Sequence, residues 1–140
     1  MRPAILIHGP TASGKTALSV AVARKVGGEV VNADSMQVYR EMSVLSARPN
    51  EADMDGVPHH LFGTVSASER FSTGEWLEAA GNVIEDIFRR GKVPVITGGT
   101  GLYLLALTQG MSSIPPVPDD IRADVMAISR AEGAAGLRQR

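Results

Sequence analysis

The run Gly9-Pro10-Thr11-Ala12-Ser13-Gly14-Lys15-Thr16 sets glycine, lysine and threonine at the spacing G-x-x-x-x-G-K-[ST]. Glycines let the backbone curl so that successive N–H groups converge on phosphate oxygens, and a helix starting behind them adds positive partial charge. Lys15 would neutralise phosphate charge, and the Thr16 hydroxyl is suited to Mg²⁺. A second glycine-rich segment, Gly98-Gly99-Thr100-Gly101, would let the backbone approach a ligand closely, because three of its four residues lack a Cβ. Asp34 leads the segment Ser35, Met36, Gln37, Val38 and Tyr39. An Asp facing a phosphate loop would ligate metal or take a proton, or it would simply cap a helix. Gln37 carries the paired donor and acceptor that reads the N6 and N7 edge of adenine.

Other polar clusters read more blandly. His59-His60 has one further histidine and no cysteine to join it, and adjacent residues on an extended chain point apart, so a packing or hydrogen-bonding role is expected rather than a metal site. The acidic stretch from Glu51 to Asp55 reads as a solvated face. Arg89, Arg90 and Lys92 would touch phosphate or close a helix C-terminus.

The elements that must carry these residues follow from periodicity. Pro3 to His8 reads as a fully buried strand ending at Gly9-Pro10. A helix follows, with Ala17, Leu18, Ala21, Val22 and Val26 at helical spacing and Gly27-Gly28 as its stop. Glu29 to Ala33 is a second strand, and residues 40 to 70 form an irregular region with one short helix. The clearest helix spans Thr73 to Arg90, opened by a Ser72/Glu75 capping box and faced by Trp76, Leu77, Ala80, Val83, Ile84, Ile87 and Phe88. Val93 to Thr97 is a third buried strand, and Leu102 to Leu107 is helical. Ser112 to Pro118 reads as a linker before a helix opening at Pro118-Asp119-Asp120, with Ile121, Val125 and Ile128 on its face. The tail after Gly133 has little to bury.

Alternating strands and helices imply an α/β fold, a P-loop-type parallel sheet flanked by helices, with the ligand site at the carboxyl ends of the strands. The expected organisation is a catalytic core over residues 1–110, then a linker and the start of a helical region over 111–140. Composition sets bounds on function. With 44% hydrophobic and 21% charged residues and a formal charge of −1, the chain has neither a membrane span nor a global basic field for nucleic acid. Zero cysteines exclude disulfides and thiolate chemistry, and the expected compartment is the cytoplasm. The third strand ends in Thr97-Gly98-Gly99 rather than an acidic residue, which argues against hydrolysis of a nucleoside triphosphate.

Taken together, these segments resemble the tRNA dimethylallyltransferases, also called tRNA isopentenyltransferases. The resemblance rests on Gly9 to Thr16, Asp34-Ser35-Met36-Gln37-Val38-Tyr39-Arg40, Pro58-His59-His60-Leu61, Phe71-Ser72 and Gly98-Gly99-Thr100-Gly101-Leu102-Tyr103 with Ala106-Leu107, in the family's order. It implies transfer of a dimethylallyl group from dimethylallyl diphosphate to N6 of the adenosine just 3′ of the anticodon. It further implies that Gly9 to Thr16 hold the diphosphate, with Thr16 near Mg²⁺ and Lys15 neutralising charge, and that Asp34 is the general base. Asp34, Ser35, Met36, Gln37, Thr100 and Arg122 would contact the tRNA anticodon loop, and the enzyme would be a monomer. The family's Gly-Thr-Ala-Lys-Pro stretch is replaced here by Leu45-Ser46-Ala47-Arg48-Pro49, and Phe62-Gly63-Thr64 stands where the family has an Asp. Family members continue well past residue 140, so a chain of this length is expected to keep the phosphate site while binding tRNA weakly and turning over poorly. Three alternatives stay open on the residues: an adenylate isopentenyltransferase, a small-molecule kinase and an inactive diphosphate-binding piece.

Overall fold

In a computed structural model, which describes residues 2–112, 115 and 117–139, four parallel strands form one sheet between two helical layers. The strands are β1 (Ile5–His8), β2 (Glu29–Asn32), β3 (His59–His60) and β4 (Pro94–Gly98), in the order β1-β4-β2-β3. The helices are α1 (Lys15–Val26), α2 (Glu51–Met54), α3 (Thr73–Arg89), α4 (Gly101–Gln109) and α5 (Asp119–Arg138). The P-loop-type α/β sheet expected from the sequence is thus present. Register runs Ile5↔Val95 to His8↔Gly98 between β1 and β4, and Glu29↔Pro94 to Asn32↔Thr97 between β2 and β4.

Alternation along the strands splits the core in two. Val30 and Val95 pack with Val20 and Ala23 of α1, whereas Val31 and Ile96 pack with Trp76, Ala80 and Ile87 of α3 and with Tyr103 and Leu104 of α4. Trp76 stacks on Tyr103 with ring centroids 4.2 Å apart. Burial pushes the Tyr103 hydroxyl up to about 12, so this residue is a neutral part of the core. The Ser72/Glu75 capping box forms as expected at the start of α3. At the far end of α1, Gly27 adopts φ 63°, the left-handed stop that the sequence pointed to.

Two expectations need correction. β1 is an edge strand with Leu6 42% exposed, not a fully buried one; four apolar residues in a row do not reveal which strand lies outermost. The buried residues of α1 are Ser19, Val20 and Ala23, while Leu18 and Val26 are exposed. Because α1 is rich in Ala and Val all round, its periodicity does not set its rotation; the phosphate loop, which fixes where the helix begins, does. The irregular region holds a 3-10 turn at Arg40–Met42, α2 and the short β3, whose pairing of His59 with Val30 the sequence did not signal.

On α5 the face containing Ile121 and Val125 is exposed, and the helix passes Gly133 through a kink before ending at Arg138. The expected linker includes Ser113, Ile114 and Pro116, which lie outside the described residues.

At the amino ends of the strands, buried Glu29 receives hydrogen bonds from Arg90 (Nη2 2.8 Å, with Nη1 on the other oxygen), Lys92 Nζ (2.8 Å) and His60 Nε2 (2.7 Å). The Arg90 guanidinium above all, with Lys92 and His60, holds this carboxyl well below the usual carboxylate range. Arg90 and Lys92 are therefore committed at the end of the sheet opposite the phosphate loop.

Candidate active site

β1 delivers Gly9 and α1 receives Lys15, with Gly14 turning the chain between them at φ 81°. That conformation favours glycine and lets the first turn of α1 open toward the loop. Lys15 Nζ donates to the Pro10 carbonyl at 2.5 Å, so the ammonium lies across the mouth of the loop. Ser19 donates its hydroxyl to the Thr16 carbonyl at 2.8 Å, holding the first turn. Thr11, Ala12, Ser13, Gly14, Lys15 and Thr16 line a cavity of about 260 Å³ whose far wall is Asp34, Gln37, Ser46 and Ala47. The phosphate loop and the Asp34 segment therefore face one space.

Asp34 is held by a residue that the sequence reading passed over. Asn32, fully buried at the end of β2, accepts from the Asp34 backbone N–H at 2.9 Å and donates to the carbonyls of Asp34 (3.0 Å) and Leu61 (3.1 Å). The Asn32 carbonyl in turn accepts from the Trp76 indole at 2.8 Å. Asp34 Oδ1 accepts from the N–H groups of Met36 (2.9 Å) and Gln37 (3.4 Å), so one oxygen caps the following turn. Among the described residues Oδ2 has no such partner and stays available to a ligand. The capping and the reactive readings of Asp34 are thus compatible, one for each oxygen.

Thr100 accepts from the Ser35 N–H at 2.9 Å and donates to the Ser35 hydroxyl at 3.2 Å, tying the two glycine- and serine-rich turns together. Gly98 has a reason for lacking a Cβ other than ligand approach: a Cβ there would lie 2.1 Å from the Ala33 backbone. Gln37 donates its amide to the carbonyls of Ser46 (3.0 Å) and Ala47 (3.3 Å), which commits the donor half that adenine reading would need and leaves Oε1. Met36 is exposed beside it. Arg122 lies on exposed α5 and lines neither cavity of the crevice, so the structure does not bring it to Asp34.

The two departures from the family pattern meet in space. Arg48 donates to the carbonyls of Tyr39 (3.0 Å) and Arg40 (3.2 Å), and its guanidinium lies where a Cβ on Gly63 would be, 2.0 Å away. Deeper in the crevice, Lys15, Thr16, Ser19, Asp34, His59, Phe62 and Thr97 surround a recess of about 30 Å³. Asn32 and Thr97 are polar residues directly following buried Val31 and Ile96 in their strands, and that was the signal available in the sequence. Nothing in the sequence marked which face of β3 His59 would take.

An IPP transferase family model matches residues 37–140, and an isopentenyl transferase model matches residues 3–64. The chain belongs to the IPP transferase family. It is 69% identical over its whole length to a tRNA dimethylallyltransferase of Hyphomonas neptunium, covering 44% of that protein. A tRNA dimethylallyltransferase of Methylocella silvestris is 55% identical over 94% of the chain, which spans 43% of it. Among solved structures, the tRNA isopentenylpyrophosphate transferase of Bacillus halodurans superposes with a TM-score of 0.79 at 38% identity, over 99% of this chain and 46% of that one. A eukaryotic dimethylallyltransferase acting on tRNA gives a TM-score of 0.77 at 29% identity, over 99% of this chain and 38% of that one. This member of the family thus spans less than half the length of the curated relatives it matches. No helix among the described residues is long and apolar enough to cross a membrane.

Proposed function

We propose that the chain supplies the diphosphate site and the base of a cytoplasmic tRNA dimethylallyltransferase. The observation that carries this is the shared cavity: the loop from Thr11 to Thr16 on one wall and the Asp34 carboxylate on the other. In the reaction, the bond between the allylic carbon and the diphosphate oxygen breaks, and a bond forms from that carbon to N6 of adenosine. Diphosphate leaves with the bonding electrons, and the N6 proton passes to Asp34 Oδ2. Lys15 and the loop N–H groups stabilise charge on the leaving diphosphate, which needs no water-activating residue. The adenine amine is a weak nucleophile with a delocalised lone pair, so positioning beside the allylic carbon contributes most. The acceptor base must be splayed from its loop, as single-stranded anticodon nucleotides can be.

The donor set fits Mg²⁺. Thr16 offers a hard hydroxyl oxygen at the recess, and no group of three or more acidic or histidine side chains among the described residues forms an all-protein cage. Mg²⁺ characteristically keeps several waters and binds through one or two protein oxygens plus substrate phosphates. When bound, it would neutralise charge on the diphosphate.

Unmodified tRNA incubated with the protein, dimethylallyl diphosphate and Mg²⁺ should gain the mass of one dimethylallyl group on the adenosine 3′ of the anticodon. That gain should disappear with Lys15→Ala. Because the isopentenyl transferase model covers residues 3–64, AMP is offered in the same tube as an anticodon stem-loop. Preferential prenylation of AMP would move the acceptor to a free nucleotide, and phosphate transfer from ATP would overturn prenyl transfer altogether.

A further inference from the structure

Two polar atoms in the crevice are closed off from solvent and have no hydrogen-bond partner among the described residues: His59 Nε2 and Thr97 Oγ1. Both residues line the 30 Å³ recess beside Thr16 and Asp34. Strand register explains their convergence. His59 pairs with Val30, and Thr97 lies two residues beyond Val95; Val30 and Val95 both face α1, so His59 and Thr97 face it too.

The chemistry of the imidazole is fixed by its other nitrogen. Nδ1 lies 2.8 Å from the Val57 carbonyl, which can only accept, so Nδ1 carries the proton and Nε2 presents a lone pair. Burial pushes the His59 pKa below its usual range, in keeping with a neutral ring. The ring rests against Phe62 at 5.4 Å between centroids, which limits its rotation.

A buried acceptor needs a donor. Diphosphate oxygens are acceptors themselves, and a dimethylallyl chain neither donates nor enters a space of this size. A recess of about 30 Å³ holds a water molecule. Beside a phosphate loop, a strongly polarised donor of water size is a water bound to a divalent cation, and Mg²⁺ retains such waters. Resting on the diphosphate reading above, we infer that His59 Nε2, helped by Thr97 Oγ1, accepts a hydrogen bond from a water of the Mg²⁺ hydration shell and thereby positions the cation between Thr16 and the diphosphate. His59 acts through that water, so it is a positioning residue. Phe62 and Pro49 close the recess around it.

The test separates metal-linked binding from phosphate binding as such. Inorganic pyrophosphate is titrated calorimetrically into the chain over a Mg²⁺ series and in EDTA. His59→Phe should raise the Mg²⁺ concentration for half-maximal pyrophosphate binding about tenfold, the lower end of what loss of a partner outside the metal's own ligands usually does. Affinity in EDTA should stay unchanged. His59→Gln, which keeps an acceptor, should recover part of the shift, and near-isosteric Thr97→Val should give about a threefold shift in the same direction. Thr97→Val carries the test if His59→Phe lowers the melting temperature. An unchanged Mg²⁺ dependence in the folded variants overturns the inference, as does an equal loss of affinity with and without metal. Failure of the parent chain to bind pyrophosphate under any condition would instead refute the phosphate site itself, and the inference with it.

Discussion

Replacing Glu29 by Gln tests whether the charge cluster at the amino ends of the strands holds the fold together. The carboxylate is 1% exposed and meets Arg90 through both oxygens, with Lys92 and His60 completing its shell. Leaving one side of a buried ion pair uncompensated costs about 3–5 kcal/mol. Here the cations left behind can rehydrate, since Arg90 and Lys92 are 39% and 43% exposed, which reduces the expected loss to about 2–3 kcal/mol. Its pH dependence has a definite sign. Because the folded value of Glu29 is depressed below the ordinary 4.5, its contribution is complete above that pH and is lost as pH falls toward the folded value. Urea unfolding of parent and Glu29→Gln from pH 8 to pH 3 should therefore show a constant gap down to about pH 5, closing below it. The exposed pair Arg2–Glu85 serves as control, and Glu85→Gln should cost no more than about 0.5 kcal/mol. A Glu29→Gln gap below about 0.5 kcal/mol at pH 7, or one that widens on acidification, refutes the reasoning.

Four further substitutions have expected outcomes. Lys15→Ala should weaken pyrophosphate binding at least about tenfold, whereas Asp34→Asn should leave it unchanged and, in a chain of the relatives' full length, lower the single-turnover prenylation rate by about 10²–10⁴-fold; equal effects of the two on binding would remove Asp34 from the role of base. Gly98→Ala should destabilise by about 1–3 kcal/mol in urea unfolding, because the new methyl meets the Ala33 backbone at 2.1 Å. Trp76→Phe should cost about 1–3 kcal/mol by leaving the Asn32 carbonyl without its indole donor, read from the same unfolding curves.

The parts of the site legible in the sequence were those made of backbone and spacing. The phosphate loop needs glycine, lysine and threonine at set positions, so Gly14 and Lys15 announced both its location and the helix behind it. The capping box at Ser72 was equally local. What the sequence hid was rotation and outcome between elements. Leu18 and Val20 are equally apolar, and only tertiary packing decides that Val20 is buried. Gln37 offers the same amide whether it reads a base or braces the loop at Ser46 and Ala47. Asn32 was passed over because a polar residue at the end of a short strand carries no sign of its partners, which lie on Asp34, Leu61 and Trp76. His59 was expected to pack or to hydrogen-bond; its Nδ1 does bond, to Val57, while its other nitrogen faces the recess.

The position of β4 between β1 and β2 works as a spacer. The phosphate loop leaves the end of β1, Asp34 follows the end of β2, and one strand separates them. Neighbouring strands sit about 4.8 Å apart, so the two chains depart roughly 10 Å from one another. A gap set by hydrogen-bonded backbone is a ruler with coarse divisions: side-chain replacements along its walls leave it intact, and it changes only if a strand is gained or lost. The length of molecule that fits between cradle and carboxylate is therefore written into strand order, and the surrounding side chains are free to vary in what they recognise at either end.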